Sequence, residues 1–561
     1  MMVSALLLAS LVWVAGTCSA SKQFPLGGNS PSSPFDKVFD EKVVWAQKHF
    51  RIPGVSIAVV HGNETFFKGY GVSDLSTGSP VTEDTHFIGG STTKAFTAAA
   101  ISLLVDDNEN FPEIQWDTPI HRIIPEDFVL NDDWYTAHVT LVDALSHRSG
   151  LPRHDMTWLC SNITLRKGVR NMRHLPITAP IRTVWQYSNL MYMSVAHIIE
   201  TVTGQWLGDF FRERIWEPLG MTDTYLSVDD ALAAGAEISR GYYVNLTGDL
   251  EDLSWVPLDH VRGAGHIVSS ARDYAKWASA MIHRAPPVSP EAHAALVSAH
   301  SIMVPTVMEP ESAPQTYGLG WMIHNYCGEV IIEHGGAEPG FGTLVLYLPK
   351  REWGLTIFTN NMIGGSAAVW FLAYHLIDEL LGTPEEERFD WVARSDKNIH
   401  EITTITDEKA QKTYPSLPDP PHRTSLPLSA YEGIYVHPAY PTLNISRECR
   451  KISLFPRSYQ SSQGKEISLW DRQALCATIP GAISDGVFEL RHASGDFWFF
   501  AYELWGEVEL TRAEFRLGPD GTVRAIGVRF EETMTDYIWL RNDTIHKWNE
   551  IELRDLPHYP F

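Results

Sequence analysis

The chemistry of this chain starts at a serine and a lysine three residues apart. In Phe87–Asp107, FIGGSTTKAFTAAAISLLVDD, two glycines lead into Ser91, Lys94 follows, and the residues from Thr92 to Val105 are otherwise small or apolar on all sides. Such a stretch predicts a helix buried on every face. Lys94 lies one turn beyond Ser91 on the same face, and an ammonium among apolar side chains is costly unless it sheds its proton or gains partners. Either outcome suits a base. Ser91 at the helix start has unpaired N–H groups and the positive end of the helix dipole beside it, which stabilise developing negative charge. Taken alone, the pair also fits a helix cap followed by a snorkelling lysine. A second Ser-x-x-Lys, Ser462 to Lys465, is interrupted by Gly464 in a polar stretch with no apolar helix after it, and reads as surface.

Two further clusters carry suitable groups. Tyr187-Ser188-Asn189 precedes a helical pattern with Tyr192, Ala196, Ile199 and Val202 on one face and Gly204 at its end. A phenol beside a lysine can relay a proton, and the Asn189 amide can orient a substrate carbonyl; by itself Tyr187 reads equally as a core tyrosine with a satisfied hydroxyl. Tyr243-Val244-Asn245 repeats the spacing, but Asn245 belongs to a glycosylation sequon and is expected to face solvent. His334-Gly335-Gly336 ends the strand pattern VIIEHGG, where glycines allow close approach of a backbone or ligand; the alternative is a plain turn with His334 on its rim. Other chemistries fit poorly. Ser91 stands in GGSTT rather than G-x-S-x-G, and the 23 histidines form no H-E-x-x-H. His293 and His300, seven apart on a predicted helix, read as solvated or packed, so neither a metal nor a cofactor is expected.

The elements that must position these groups follow in order. Ser33-Pro34 predicts a cap for a helix to about Phe50, and 55–60 with 64–72 predict a hairpin about His61-Gly62-Asn63. Residues 110–310 are mostly helical, with the clearest start at the Ser270 to Asp273 capping pattern. Strand patterns return at 318–324, 328–334, 342–348 and 353–359, before an apolar helix near 366–381. Strands first and last with helices between predict an α/β layer with a helical insertion. Residues 386–427, polar and Pro-rich, read as a linker, and 428–545 hold only short alternating strands, predicting a small all-β barrel or sandwich.

At 561 residues with 44% hydrophobic content and 19 Trp, the chain can build two or three cores. A formal net charge of −24 argues against nucleic acid or anionic membranes as partners. Residues 1–20 have the apolar run and small-residue end of a signal peptide, and no later run is long enough to span a membrane. The expected location is therefore extracellular. Sequons at Asn63, Asn162, Asn245, Asn444 and Asn542 agree with a secreted glycoprotein. Removal of Cys18 with the signal leaves four cysteines; Cys449 with Cys476 is the preferred bridge, whereas Cys160 and Cys327 would have to meet through the fold or stay free. Oligomeric state is left open.

In order and approximate separation, the three clusters resemble the serine β-lactamase and penicillin-binding protein superfamily over about residues 36–385. Ser91-Thr92-Thr93-Lys94 resembles its nucleophile motif, Tyr187-Ser188-Asn189 the Tyr-x-Asn of its class C β-lactamases and D-peptidases, and His334-Gly335-Gly336 its Lys-Thr-Gly. LSHRSGLP (145–152), IWEPLGMTDT (215–224) and RGAGHIVSSARDYAKW (262–277) look like connecting segments of the esterase and D-aminopeptidase branch, and the C-terminal β-domain is similar to a lipocalin-like appendage.

The resemblance implies an antiparallel sheet packed on helices, Ser91 as nucleophile, Lys94 as base, Tyr187 as proton relay, and backbone N–H groups of Ser91 and Ala337 as oxyanion hole. It implies a hydrolase acting on a small ester, amide or peptide, or an acyltransferase using the same site, and makes His147 structural. A non-catalytic secreted binding protein of this fold is the alternative from another class. The departure at His334 matters most. An imidazole of ordinary pKa near ~6.5 is largely neutral at pH 7, so free carboxylates are expected to bind weakly and to gain as His334 takes a proton, with Arg262 or Arg153 as the alternative cation.

Overall fold

The computed structural model describes residues 32–543 apart from 254, 450–452, 462, 463, 465, 470, 471, 484, 485 and 532. The expected signal peptide and the Ser462 and Lys465 pair lie outside those residues. Helix α1 (Lys37–His49) is capped by Asp36, whose carboxylate accepts the Phe39 N–H at 2.8 Å, rather than by Ser33-Pro34. An acidic group at that end also complements the helix dipole. The expected hairpin follows as β1 (Gly54–His61) and β2 (Glu64–Asp74), then a short β3 (Ser79–Pro80).

After β3 come helix α2 (Thr93–Asp106), helix α3 (Asn189–Thr203), and α4 (Ala271–His283), which starts at its Ser270 cap as the sequence predicts. Strands then resume as β4 (Ser301–Val304), β5 (Gln315–Tyr317), β6 (Met322–Tyr326), β7 (Glu329–Glu338), β8 (Phe341–Leu348) and β9 (Trp353–Thr359). They form one nine-stranded sheet in the order β3-β2-β1-β9-β8-β7-β6-β5-β4. Its two ends in sequence meet where β1 pairs antiparallel with β9, Val55 opposite Thr359. The period of two sorts side chains between layers. Ile57, Val59, Leu344 and Leu346 face α1 and α5 (Ile363–Leu381), whereas Ala58, Val60, Val345 and Tyr347 face the core of α2 and α4. This is the predicted α/β layer with its helical insertion.

The expected linker is more ordered than its composition suggests. It carries α6 (Trp391–Thr403) and α7 (Asp407–Thr413), polar outside but anchored at both ends. Trp391 stacks on Tyr374 of α5 with ring centroids 4.1 Å apart, and Lys409 Nζ donates to the Val508 carbonyl at 2.8 Å. Buried Trp391, Ile405 and Ala410 hold the two helices, while the Pro-rich residues 415–421 stay irregular.

Beyond it, β10 (Gly433–Val436), β11 (Leu443–Ser446), β12 (Ala474–Thr478), β13 (Val487–Ser494), β14 (Phe497–Leu504), β15 (Glu507–Leu517), β16 (Val523–Val528) and β17 (Ile538–Asn542) close into an eight-stranded barrel. Trp498, Phe500, Phe515 and Leu540 are buried in its core. Cys449 and Cys476 are disulfide-bonded as expected, and the two remaining cysteines considered above do not bridge each other. Asn63, Asn162 and Asn444 are exposed, and Asn245 is half-buried with its amide on Glu251. Asn542 departs from its expected role. Its side chain is 4% exposed and its Nδ2 donates to the Val523 carbonyl at 3.0 Å, so the nitrogen that would carry a glycan is inside the protein. The helix expected to carry both His293 and His300 ends at Leu296, which separates the pair.

Candidate active site

Ser91 sits in a single 3-10 turn, Gly90–Thr92, that feeds directly into α2. Gly90 has φ +53° and packs so tightly on β7 that a Cβ would come within 2.9 Å of the Ala337 nitrogen. The turn is pinned from below: Thr92 and Thr343 hydroxyls each donate to the Gly89 carbonyl at 2.8 Å, and Thr93 Oγ1 donates to Gly90 O at 2.7 Å. β6 pairs with β7 only as far as Glu333, which leaves the edge from His334 to Glu338 for this turn. Sequence spacing and strand register thus bring Ser91 beside Ala337, which is itself exposed, as an oxyanion hole requires.

Lys94, fully buried, reaches three oxygens: Ser91 Oγ at 3.1 Å, Asn189 Oδ1 at 2.7 Å and the Ala264 carbonyl at 2.7 Å. Tyr187 OH donates to Ser91 Oγ at 2.7 Å. Burial, helped by the Arg153 charge, holds Lys94 well below its ordinary pKa, against opposing pulls from Asp155 and Glu338. The donor count then decides the chemistry. An ammonium fills all three contacts as donor, but a neutral amine keeps its two N–H groups on Asn189 and Ala264 and turns its lone pair to the Ser91 hydroxyl. Burial raises the Tyr187 phenol above its ordinary pKa, so it is a proton carrier rather than a standing phenolate.

The surrounding wall is aromatic. His147, fully buried, accepts the Ser188 N–H on Nδ1 at 3.0 Å and lies 4.4 Å from the Tyr187 ring, centroid to centroid. Burial and then the Lys94 charge hold its pKa well below the ordinary value. His334 does not match the expectation of a substrate-facing imidazole. It is 1% exposed, its Nε2 is bonded to Tyr317 OH at 2.9 Å, and burial with the Lys94 charge pushes its pKa down to about 3. An acid-gated anion site is therefore absent there. Alternation keeps the ring on the α2 side of the sheet, but Tyr317 covers it and makes it part of the wall.

The two glycines after it differ. A Cβ on Gly336 would meet Gly89 O at 2.1 Å, whereas one on Gly335 would find its nearest neighbour, Trp370, at 3.7 Å. Of the two alternative cations, Arg262 is held by Glu200 at 2.7 and 2.8 Å, while the Arg153 guanidinium lies 4.9 Å over the Tyr187 ring. Sequence reasoning missed three further contributors: the Ala264 carbonyl, Asp155, which accepts the Asn189 amide at 3.2 Å, and the buried pair His266 and Glu338 at 2.6 Å beside the nucleophile turn. Only RGAGHIVSS, already singled out, held a signal for any of them.

Comparison with known proteins agrees with this geometry. The family model described as Beta-lactamase matches residues 35–379, and one described as a domain of unknown function (DUF3471) matches 417–542. The chain is similar to an unguisins hydrolase of Aspergillus campestris, 39% identical over 521 residues that cover 91% of this chain and 92% of that protein. A second unguisins hydrolase, from Aspergillus violaceofuscus, is 35% identical over 90% of each. Among solved structures, the octameric penicillin-binding protein homologue from Pyrococcus abyssi shares the fold with a TM-score of 0.56 at 20% identity, covering 90% of this chain and 99% of its own. The D-amino acid amidase from Ochrobactrum anthropi SV3 shares it over 61% of this chain and 99% of its own, with a TM-score of 0.52 at 24% identity.

Proposed function

The chain belongs to the beta-lactamase family, and from that premise we propose that it is a secreted serine hydrolase opening amides or esters through an acyl-enzyme on Ser91. The observation that carries this reading is the contact of Ser91 Oγ with both Lys94 Nζ and Tyr187 OH. Oγ attacks the substrate carbonyl carbon while its proton passes to the Lys94 lone pair. The carbonyl oxygen becomes an oxyanion toward the N–H groups of Ser91 and Ala337, each worth ~2.7–4 kcal/mol if it acts as measured donors do. Collapse breaks the bond to the leaving amine or alcohol, which takes the Tyr187 proton, and the phenolate recovers it from the Lys94 ammonium. Water repeats the sequence on the acyl carbon, releasing the acid and restoring Ser91.

The similarity to two unguisins hydrolases supports hydrolysis over acyl transfer, and an unguisin is the first substrate to try. The neutral His334 supports substrates that lack a free carboxylate at that wall. The leader-like residues 1–20 and the exposed Asn63, Asn162 and Asn444 support export and glycosylation, to be read from the mature N-terminus and a glycosidase shift of protein from the medium. The deciding test is intact-mass analysis after a fluorophosphonate probe. One adduct on wild type and none on Ser91→Ala is expected; folded wild type that takes no probe would sink the hydrolase reading. An unguisin, aryl esters, D-amino acid amides and a cephalosporin then rank the substrates.

A further inference from the structure

Arg153, His154 and Asp155 form a strap between the helical region and the barrel. His154 has φ +47°, a conformation that residues other than glycine seldom keep unless their surroundings over-determine it. Those surroundings come from both domains. His154 Nε2 faces the Pro176 carbonyl at 3.0 Å and must therefore carry the proton, so Nδ1 is an acceptor. The group that meets it at 2.6 Å is the hydroxyl of Tyr440, from the barrel. Tyr440 stacks on Phe530, and the next residue, buried Glu531, faces the backbone N–H groups of His154 and Asp155. The barrel thus grips the strap by its ring and by its main chain.

What the strap holds is catalytic. Asp155 Oδ1 accepts from Asn189 Nδ2 at 3.2 Å and from Trp158 Nε1 at 3.0 Å, while Oδ2 accepts from Arg153 Nε at 2.7 Å. An ionised carboxylate only accepts, so it fixes which end of the Asn189 amide it receives and leaves Oδ1 for Lys94. Arg153, tethered to the same carboxylate, lies over the Tyr187 ring.

We propose that Tyr440 and Glu531 are positioning residues for acylation: through the strap they set Asn189 against Lys94 and Arg153 over Tyr187, which makes the C-terminal barrel a working part of the active site. This rests on Ser91 being the acylated group. The test uses the full chain. Tyr440→Phe removes one hydroxyl, and Glu531→Gln, assayed at pH 9 because burial raises the Glu531 carboxyl to about 8, puts an amide donor against one of two N–H groups that the carboxylate accepts. Each is expected to slow fluorophosphonate labelling roughly 10- to 100-fold, as a displacement of up to an ångström does, with full final labelling and only a modestly lowered Tm, because each leaves a buried polar group without its partner. Glu531→Gln combined with Asp155→Asn should be no slower than the worse single variant, because both act through one strap. Hydrogen exchange across residues 151–158 should rise in both barrel variants, while Asp520→Asn, on an exposed barrel turn, should match wild type. Wild-type labelling rates in folded Tyr440→Phe and Glu531→Gln, or additive losses with Asp155→Asn, overturn the proposal. If wild type takes no probe, the hydrolase reading fails separately, and unchanged exchange in the barrel variants then rejects the strap as well.

Discussion

Gly335 and Gly336 are neighbours on β7, yet adding one methyl to each is expected to have opposite results. At Gly336 the new Cβ would lie 2.1 Å from Gly89 O and 2.3 Å from Thr343 Oγ1; at Gly335 it would be in ordinary contact with Trp370 at 3.7 Å. The clash must open by about 1 Å to reach van der Waals distance. Gly89 belongs to the turn that carries Ser91, and Gly336 precedes Ala337, so the opening falls between the nucleophile and the second oxyanion donor. A 1 Å misplacement costs roughly 10²-fold, and loss of a donor ~10²–10³-fold. Gly336→Ala should therefore acylate about 10²–10³-fold more slowly, with ~1–3 kcal/mol of overpacking seen as a lower Tm. Gly335→Ala should stay within about twofold, the scale of ~0.5 kcal/mol. Both are read as single-turnover labelling rates on protein whose fold is checked by circular dichroism. A folded Gly336→Ala labelled at the wild-type rate, or equal damage from Gly335→Ala, would refute the placement of Ala337 in the oxyanion hole.

Ser91→Ala and Lys94→Ala should each lower kcat by roughly 10³ or more, and the double variant should be hardly worse, since they act as a unit; turnover measurements showing additive losses would contradict the pairing. Tyr187→Phe should keep the fold and slow acylation by roughly 10²–10⁴, and unchanged single-turnover rates would move the proton relay elsewhere. His334 and His154 have folded pKa values pushed from 6.5 to about 3 and about 4 by burial, so the stability their neutral forms provide is complete above pH 6.5 and is lost as pH falls through those values. Urea midpoints should accordingly fall from pH 6.5 to pH 4, less steeply in His334→Asn, and an identical slope would show that His334 is not buried neutral. Asn542→Gln should leave the glycosidase shift of secreted protein unchanged; a smaller shift would mean that β17 is open at that residue.

The parts of the site legible in the sequence are those fixed by local geometry. Ser91 and Lys94 meet because three residues make nearly one helical turn, and the apolar run about them fixed its burial in advance. Tyr187 and Asn189 could be placed at a helix start, but not against Ser91. His334 was misread because it does take the site face of β7 but is covered there by Tyr317 of β5, a packing contact invisible from one strand alone. The sequon at Asn542 failed for another reason: it lies on a barrel strand whose asparagine turns inward. Asp155, Tyr440 and Glu531 carry no local signature at all. Their roles depend on contacts hundreds of residues apart, such as His154 with Tyr440.

The departure from a Lys-Thr-Gly pattern gains its meaning from the opposite wall. With a neutral His334 behind Tyr317, β7 offers the cleft no permanent cation at that position, and the guanidinium nearest Tyr187 is that of Arg153, half exposed and bonded to Asp155 at 2.6 Å. Those two charges act oppositely on the base: Arg153 favours the neutral amine of Lys94, and Asp155 favours the ammonium. The two are adjacent to the same residue, His154, so a movement of the strap changes both influences together with the Asn189 contact. The availability of the Lys94 lone pair is then a property of the strap's position as much as of the buried helix that carries it. A site built this way responds to changes in the contact between strap and barrel, such as His154 with Tyr440, which a lysine fixed on β7 would not do.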